Sequence, residues 1–260
     1  VMSNVIYRKR LVDMRSLMKQ KMLDAIIIPP SDPHLGEYVP DHWRVIRWLT
    51  GFTGSAGNVV ITRTFAGLWT DSRYFIQAEE QLEGSGFELV RLKIPHTPEH
   101  IDWLGGKARK GWKIGVDGRL ISVGTMRYLE SSLKPAGVKI DLRTDLVTPL
   151  WKDRPPLPSE EAFELDVKYT GQDRSEKLDR VRKVMAGMKA DYQLLTASDD
   201  IMWLLNLRGN DVKFCPLVLS YAVVSREQVI FFADEDKIPG KLRASRSEER
   251  RVGKECRSRW

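Results

Sequence analysis

The chain has 260 residues, 42% of them hydrophobic, which allows one large or two modest domains with real cores and excludes disorder throughout. Its 42 Lys or Arg against 35 Asp or Glu give a net charge of +7, yet the basic residues are interspersed with acids and form no aromatic-interleaved stripe of the kind that grips nucleic acid. No apolar run approaches the roughly 20 residues of a membrane span, and Arg8-Lys9-Arg10 leads into Leu11-Val12-Asp13-Met14 rather than a signal-peptide core, so a cytoplasmic protein with no nucleic-acid or membrane partner is expected.

In chain order, Leu11, Met14, Leu17, Met18 and Met22 recur at helical spacing, and Ala25 to Ile28 reads as a short buried strand closed by Pro29-Pro30. Gly51, Gly54 and Gly57 then recur every third residue around Thr53 and Ser55. A phosphate cradle is a poor reading, because the spacing matches neither glycine fingerprint and the loop runs into a strand rather than a helix; turn geometry and close packing explain the glycines better. Asn58 to Thr62 and Gly67 to Thr70 read as a hairpin across Arg63-Thr64-Phe65. Asp71 and Ser72 are N-cap candidates for a helix carrying Tyr74, Phe75, Ala78 and Leu82. That puts Arg73 in a first helical turn, where a cation opposes the helix dipole; an external partner or an ion pair with Asp71 would explain it. Phe87 to Leu92, Lys113 to Val116 and Val138 to Leu142 are further strands, with a helix between Ser122 and Leu133, so the first half is an α/β domain.

The clearest linker is Asp153-Arg154-Pro155-Pro156-Leu157-Pro158-Ser159, whose three prolines stiffen an exposed connection. We therefore expect a first domain over 1–154, a linker over 155–159 and a second domain over 160–245. Residues 246–260 (RSEERRVGKECRSRW) resemble the translation of a sequencing-library adapter and are read as a non-native tail; without them the balance is 36 basic to 32 acidic residues, or +4. The tail also holds Cys256, leaving Cys215 with no internal disulfide partner; its Phe-Cys-Pro-Leu-Val setting predicts a buried, inert thiol.

The second domain repeats the grammar of the first. MLDAIIIPPSD returns as MKADYQLLTASDD, WLTGFTG as WLLNLRG, and VVITRTFAGLWTD as YAVVSREQVIFFADED. The second copy stops soon after Asp234, whereas the first runs some eighty residues beyond Asp71, so the second is read as truncated. The four histidines, His34, His42, His96 and His100, are scattered; His96 and His100 are at i, i+4, but Pro95 and Pro98 preclude one helix through both, and no metal site is expected. Asp199-Asp200 is expected at a helix start after Ser198.

GFTGSAG, LWTDSRYF, IGVDGRLIS, LWKDRPPLP and WLLNLRGNDV, with Asp32-Pro33-His34, together resemble the N-terminal part of the three-domain Xaa-Pro aminopeptidases (aminopeptidase P) of the creatinase/prolidase superfamily. Gly36 and Ser72 depart from a serine and a glycine common there, and Gly36 is expected to loosen the His34 to Tyr38 segment. The resemblance implies an α/β fold of two tandem creatinase N-terminal-like domains with mixed sheets flanked by helices, the second truncated. It implies a parent that releases the N-terminal residue from peptides with proline second, through two divalent ions, manganese by the resemblance, in a C-terminal pita-bread domain absent here. This stretch would then carry no catalytic residue, bind no metal and be inactive alone, while Arg73 and, more weakly, Arg208 would contact the peptide. The parent would be a homodimer. Two other readings are a non-catalytic peptide- or protein-binding module on the same fold, and a creatinase-like or prolidase-like hydrolase, which the doubled N-terminal domain disfavours.

Overall fold

The computed structural model describes residues 4–244 and, as backbone alone, 249–252. The chain divides into two compact units between Pro155 and Pro156, within the proline-rich stretch.

The first unit opens with helix α1 (Asn4–Gln20), which buries Leu11, Met14 and Met18. Strand β1 (Ala25–Ile28) follows, buried at all four residues, as expected of an apolar strand covered on both faces. After helix α2 (Val45–Thr50) come β2 (Asn58–Thr62), β3 (Ala66–Thr70), α3 (Phe75–Leu82) and β4 (Glu88–Arg91); α4 (Glu99–Lys107), β5 (Lys113–Val116), α5 (Val123–Leu133) and β6 (Lys139–Asp141) complete the unit. Its six strands lie in the order β4-β3-β2-β1-β5-β6. The β1–β2–β3 meander is antiparallel, while β4, β5 and β6 each join in parallel, which gives a mixed sheet. Alternating side chains feed two cores. Ile26, Ile28, Val59, Ile61 and Leu68 pack with α1, α2 and α3, whereas Ala25, Ile27, Val60 and Trp69 pack with Ile101, Leu104, Leu129 and Leu133 of α4 and α5. Trp48 stacks on Trp151, with ring centroids 5.1 Å apart, and so ties the end of the unit back to α2.

The second unit contains β7 (Phe163–Glu164), α6 (Val167–Thr170), α7 (Arg174–Gly187), β8 (Tyr192–Leu195), α8 (Ser198–Leu205), β9 (Leu207–Arg208), β10 (Tyr221–Ser225), β11 (Val229–Phe232), α9 (Gly240–Ala244) and β12 (Glu249–Val252). Its main sheet has the order β12-β11-β10-β8, and β7 pairs with β9 separately. The sequence echo is a structural one with the same register: Ala25 faces Thr62 as Tyr192 faces Ser225, and Val59 faces Leu68 as Ala222 faces Phe231. Left-handed Gly51 ends α2 where left-handed Asn206 ends α8. The backbone of Glu249–Val252, within the segment read as a tail, lies parallel to β11; the remaining tail, with Cys256, lies outside the described residues.

One local expectation is corrected. The Cys215 setting is not an apolar interior: a bridge between Val212 and Cys215 closes a tight turn, Phe214 takes φ +67° and is 85% exposed, and Cys215 is half-buried.

Candidate functional site

The glycine-rich loop lies between α2 and β2 and faces the start of α3. Gly51 has φ +83°, a backbone that favours glycine, and donates to the Arg47 carbonyl to finish α2. At Gly54 the need is steric, since a Cβ would fall 2.2 Å from the Phe52 ring and 2.8 Å from Tyr74. Both glycines are therefore architectural. The loop is pinned by Thr53, whose hydroxyl accepts from Gln77 and Gln81 at 2.8 and 2.9 Å, and by Ser55, whose Oγ lies 2.8 Å from the Tyr74 hydroxyl. Thr70 Oγ1 donates to the Ala56 carbonyl at 2.6 Å and binds the loop to β3.

At the end of β3, Asp71 caps a single 3-10 turn, accepting from Arg73 N at 3.1 Å, before α3 begins at Phe75. The same carboxylate receives the Arg73 guanidinium in a fork, Nε to Oδ1 and Nη2 to Oδ2, both at 2.8 Å. The ion pair with Asp71 is thus the immediate explanation for a cation at this helix start. Its two halves differ in exposure. The Asp71 side chain is buried and the Arg73 side chain is 57% exposed, so an immobile acid holds a guanidinium at the surface. Hydrogen bonding to Arg73 holds the Asp71 carboxyl below its ordinary range despite burial, and the same bond raises the Arg73 pKa. Arg73 also lies over the Tyr74 ring at 5.3 Å. The arrangement presents a pre-oriented planar donor able to meet a carbonyl or carboxylate oxygen, with no nucleophile of its own.

Arg208 sits differently. Its Nη1 donates to the Met202 carbonyl in the last turn of α8 at 2.9 Å and to the Leu207 carbonyl of β9 at 2.7 Å. By register it corresponds to Thr53 rather than to Arg73, whose counterpart is Asp236, and the two arginines belong to separate compact units. Beside Arg208, buried Lys177 donates to the Trp203 carbonyl at 2.8 Å and to Asn206 Oδ1 at 2.7 Å; burial, then Arg208, lowers its pKa. Sequence reading missed this lysine because its spacing in α7 looks like that of any solvated helix residue.

Among the described residues no group of three or more His, Cys, Asp or Glu side chains could hold a metal ion. His96 lies outside α4 with φ +63°, while His100 is buried in it against Trp69. Among the described residues the donors do not converge as a two-metal centre needs. Asp199 and Asp200 lie exposed in the first turn of α8; Ala197 occupies the N-cap and Ser198 is already helical. Asp32 Oδ1 accepts from the His34 and Gly36 amides at 2.9 and 3.3 Å, and a Cβ at Gly36 would meet only ordinary contacts, so the glycine is not sterically required. A cavity of about 40 Å³ between the ends of β1 and β5, lined by Trp43, Asp117, Arg119 and Arg154, has room for water rather than a substrate.

A family described as the creatinase/prolidase N-terminal domain matches residues 10–144, and a second of the same description matches 153–256. Xaa-Pro aminopeptidase 1 of Dictyostelium discoideum is 38% identical over 252 residues, covering 94% of this chain and 40% of that protein. A probable Xaa-Pro aminopeptidase P of Laccaria bicolor is 37% identical over 232 residues, or 88% of this chain and 36% of that protein. The crystal structure of an X-prolyl aminopeptidase from Caenorhabditis elegans, a cytosolic enzyme with a di-nuclear active site, superposes with a TM-score of 0.88 at 33% identity, covering 97% of this chain and 43% of that one. The chain therefore spans about 40% of the length of the relatives it matches. With both units matched in series, the chain belongs to the creatinase/prolidase N-terminal domain family.

Proposed function

We propose that this chain is the substrate-shaping N-terminal region of a metal-dependent Xaa-Pro aminopeptidase, and that the metal chemistry belongs to a further domain. The observation that carries the reading is the collinear match of both units to Xaa-Pro aminopeptidases, of which this chain spans about 40%. Proline in second position gives a tertiary amide with no N–H and a fixed φ, so selectivity must come from shape and from acceptors on the peptide rather than from a backbone donor. Arg73, oriented by Asp71, supplies a donor for such an acceptor; Arg208 holds its own helix end and is the weaker candidate. Two ions, manganese in this reading, and a homodimer belong to the parent. The cytosolic character of the C. elegans enzyme supports a cytoplasmic setting; among the described residues no helix is long and apolar enough to cross a membrane.

The test is to assay the full-length parent on a peptide with proline second and on its alanine counterpart. Release that depends on proline is expected, and equal release from both would overturn the reading. In the same enzyme, Arg73→Ala is expected to lower kcat/KM by about tenfold or more, with Arg73→Lys recovering only part because it cannot reproduce the fork. Unchanged kinetics would remove Arg73 from the site.

A further inference from the structure

The first sheet has two places where adjacent parallel strands send their connections to opposite faces, and α/β sheets bind ligands in the crevice outside the strand ends at such points. Strand β1 leads to α2 on one face, and β5 leads to α5 on the other. Strand β3 leads to α3 on the first face, and its parallel neighbour β4 leads to α4 on the second. The two crevices differ in what fills them. Between β1 and β5 the chain plugs its own gap. Arg119 and Arg154 lie over the Trp43 ring at 5.2 and 5.0 Å, Arg154 Nε donates to the His42 carbonyl at 2.8 Å, and only the cavity of about 40 Å³ is left. The crevice between β3 and β4 carries Asp71 and Arg73 on one wall, with the guanidinium at the surface.

Its second wall is the loop over residues 93–98. The Leu92 amide donates to the Thr70 carbonyl at 2.9 Å, so this loop leaves β4 directly beside Asp71. Glu99 fixes it, since Oε1 accepts from the Lys93 and Ile94 amides at 2.9 and 3.1 Å, and Thr97 Oγ1 donates to the Ile94 carbonyl at 2.7 Å. Within the loop His96 takes φ +63° and is exposed. The Asp71 carboxylate, held low first by its bonds to Arg73, is favoured further by a cationic His96, which places the imidazole within electrostatic reach of the fork. Among the described residues neither ring nitrogen of His96 nor Arg73 Nη1 has a hydrogen-bond partner. Neither neighbouring acid is turned outward, because both Asp71 oxygens bond Arg73 and Glu99 points into its own loop. The rim therefore offers donors, on Arg73, His96 and exposed Lys93, and withholds its acceptors.

We propose that His96 is a specificity-determining residue facing Arg73 across the β3–β4 crevice, and that the two hold a carboxylate of the bound peptide, at its C-terminus or on an acidic side chain after the proline. That the ligand is a peptide rests on the peptidase reading; the site itself rests on the sheet topology and on groups the fold leaves unbonded. Arg73 offers Nη1 from a guanidinium already fixed by Asp71, and His96 offers a ring N–H from a loop already fixed by Glu99. Little further ordering is needed when the carboxylate arrives.

The test reads the NMR shifts of Arg73 and His96 in the 260-residue chain during titration with three peptides: Ala-Pro-Ala as the free acid, Ala-Pro-Ala amide and Ala-Pro-Asp amide. Saturable, coincident shifts at both residues are expected, with at least one carboxylate peptide binding about tenfold or more tighter than the neutral amide. Whichever carboxylate peptide binds tighter identifies the source. His96→Gly, which suits the left-handed backbone, should bring that preference within about threefold and leave the other shifts of the first unit unchanged. In the full-length parent the same variant should lower the ratio of kcat/KM for the preferred carboxylate peptide to that for the neutral amide. No saturable shift, equal binding of all three peptides, or a preference indifferent to His96→Gly would each overturn the proposal. The titration needs no catalysis, so a parent indifferent to proline would overturn the peptidase reading and leave the carboxylate site standing.

Discussion

Replacing Lys237 by alanine is expected to destabilise the second unit by about 3–5 kcal/mol, because it strands a buried carboxylate. Lys237 Nζ lies 2.6 Å from Asp211 Oδ2, and the two side chains are 5% and 0% exposed. Oδ2 also accepts from the Leu219 amide at 2.7 Å, while Oδ1 is buried with no hydrogen-bond partner. Burial pushes the Asp211 pKa up, and the lysine and the amide pull against it. Removal of the lysine takes away the larger of those opposing groups and leaves a charge, or a protonated acid, in apolar surroundings. The damage should be local. Exchange protection of Tyr221–Ser225 and Val229–Phe232 should fall, with that of β1 and β2 retained. The double replacement Asp211→Leu with Lys237→Met should lose far less, since a buried pair exchanged for apolar side chains of similar size leaves nothing unpaired. A single variant as stable as the original would show that the pair contributes no more than a surface bridge.

The first unit should lose stability on acidification between about pH 6.5 and 4, and His100 should account for much of the loss. Burial lowers its pKa from the ordinary 6.5 to about 4, with Asp102 opposing weakly, and its Nδ1 has no partner. Above 6.5 the imidazole is neutral folded and unfolded. As the pH falls through the window, the unfolded chain takes up the proton and the folded chain does not, so the folded state is progressively disfavoured. At the acid end the loss is about 3 kcal/mol. His42 is also lowered, by burial and then by Arg154 and Arg119 against the Pro155 carbonyl contact, and adds a loss of the same sign. The diagnostic is therefore a difference. His100→Phe should flatten the fall in Tm of the first unit between pH 6.5 and 4, and parallel curves for the two proteins would contradict the assignment. Asp71, held low by Arg73, loses its contribution at still lower pH and does not confound the window.

How much of this was legible depended on whether the signal was local. Continuous apolar runs such as Ala25–Ile28, the hairpin at Asn58–Thr70 and the repeated text at Trp203 gave the sheet order's central strands and the duplication, because periodicity and turn residues act over a few positions. The Asp71–Arg73 fork was among the readings the sequence allowed, since the pair is two residues apart. Long-range pairs were invisible. Lys237 and Asp211 are 26 positions apart, as are Lys177 and the Trp203 carbonyl, and nothing in either neighbourhood marks a lysine destined for burial. The Cys215 setting misled for the opposite reason: its apolar neighbours suggested an interior, but Phe214 adopts a left-handed turn that throws its ring outward. Trp151 stood within a recognised block, yet its stacking on Trp48 is a tertiary fact with no local signature.

The central claim is a division of labour, in which these two units shape a peptide and the bond-breaking ions lie elsewhere. The most direct test is to incubate the purified 260-residue chain with manganese and a peptide with proline second, and to measure release of the first residue against a blank of metal and peptide alone. The account predicts release no faster than the blank. Metal-stimulated release by this chain would contradict it.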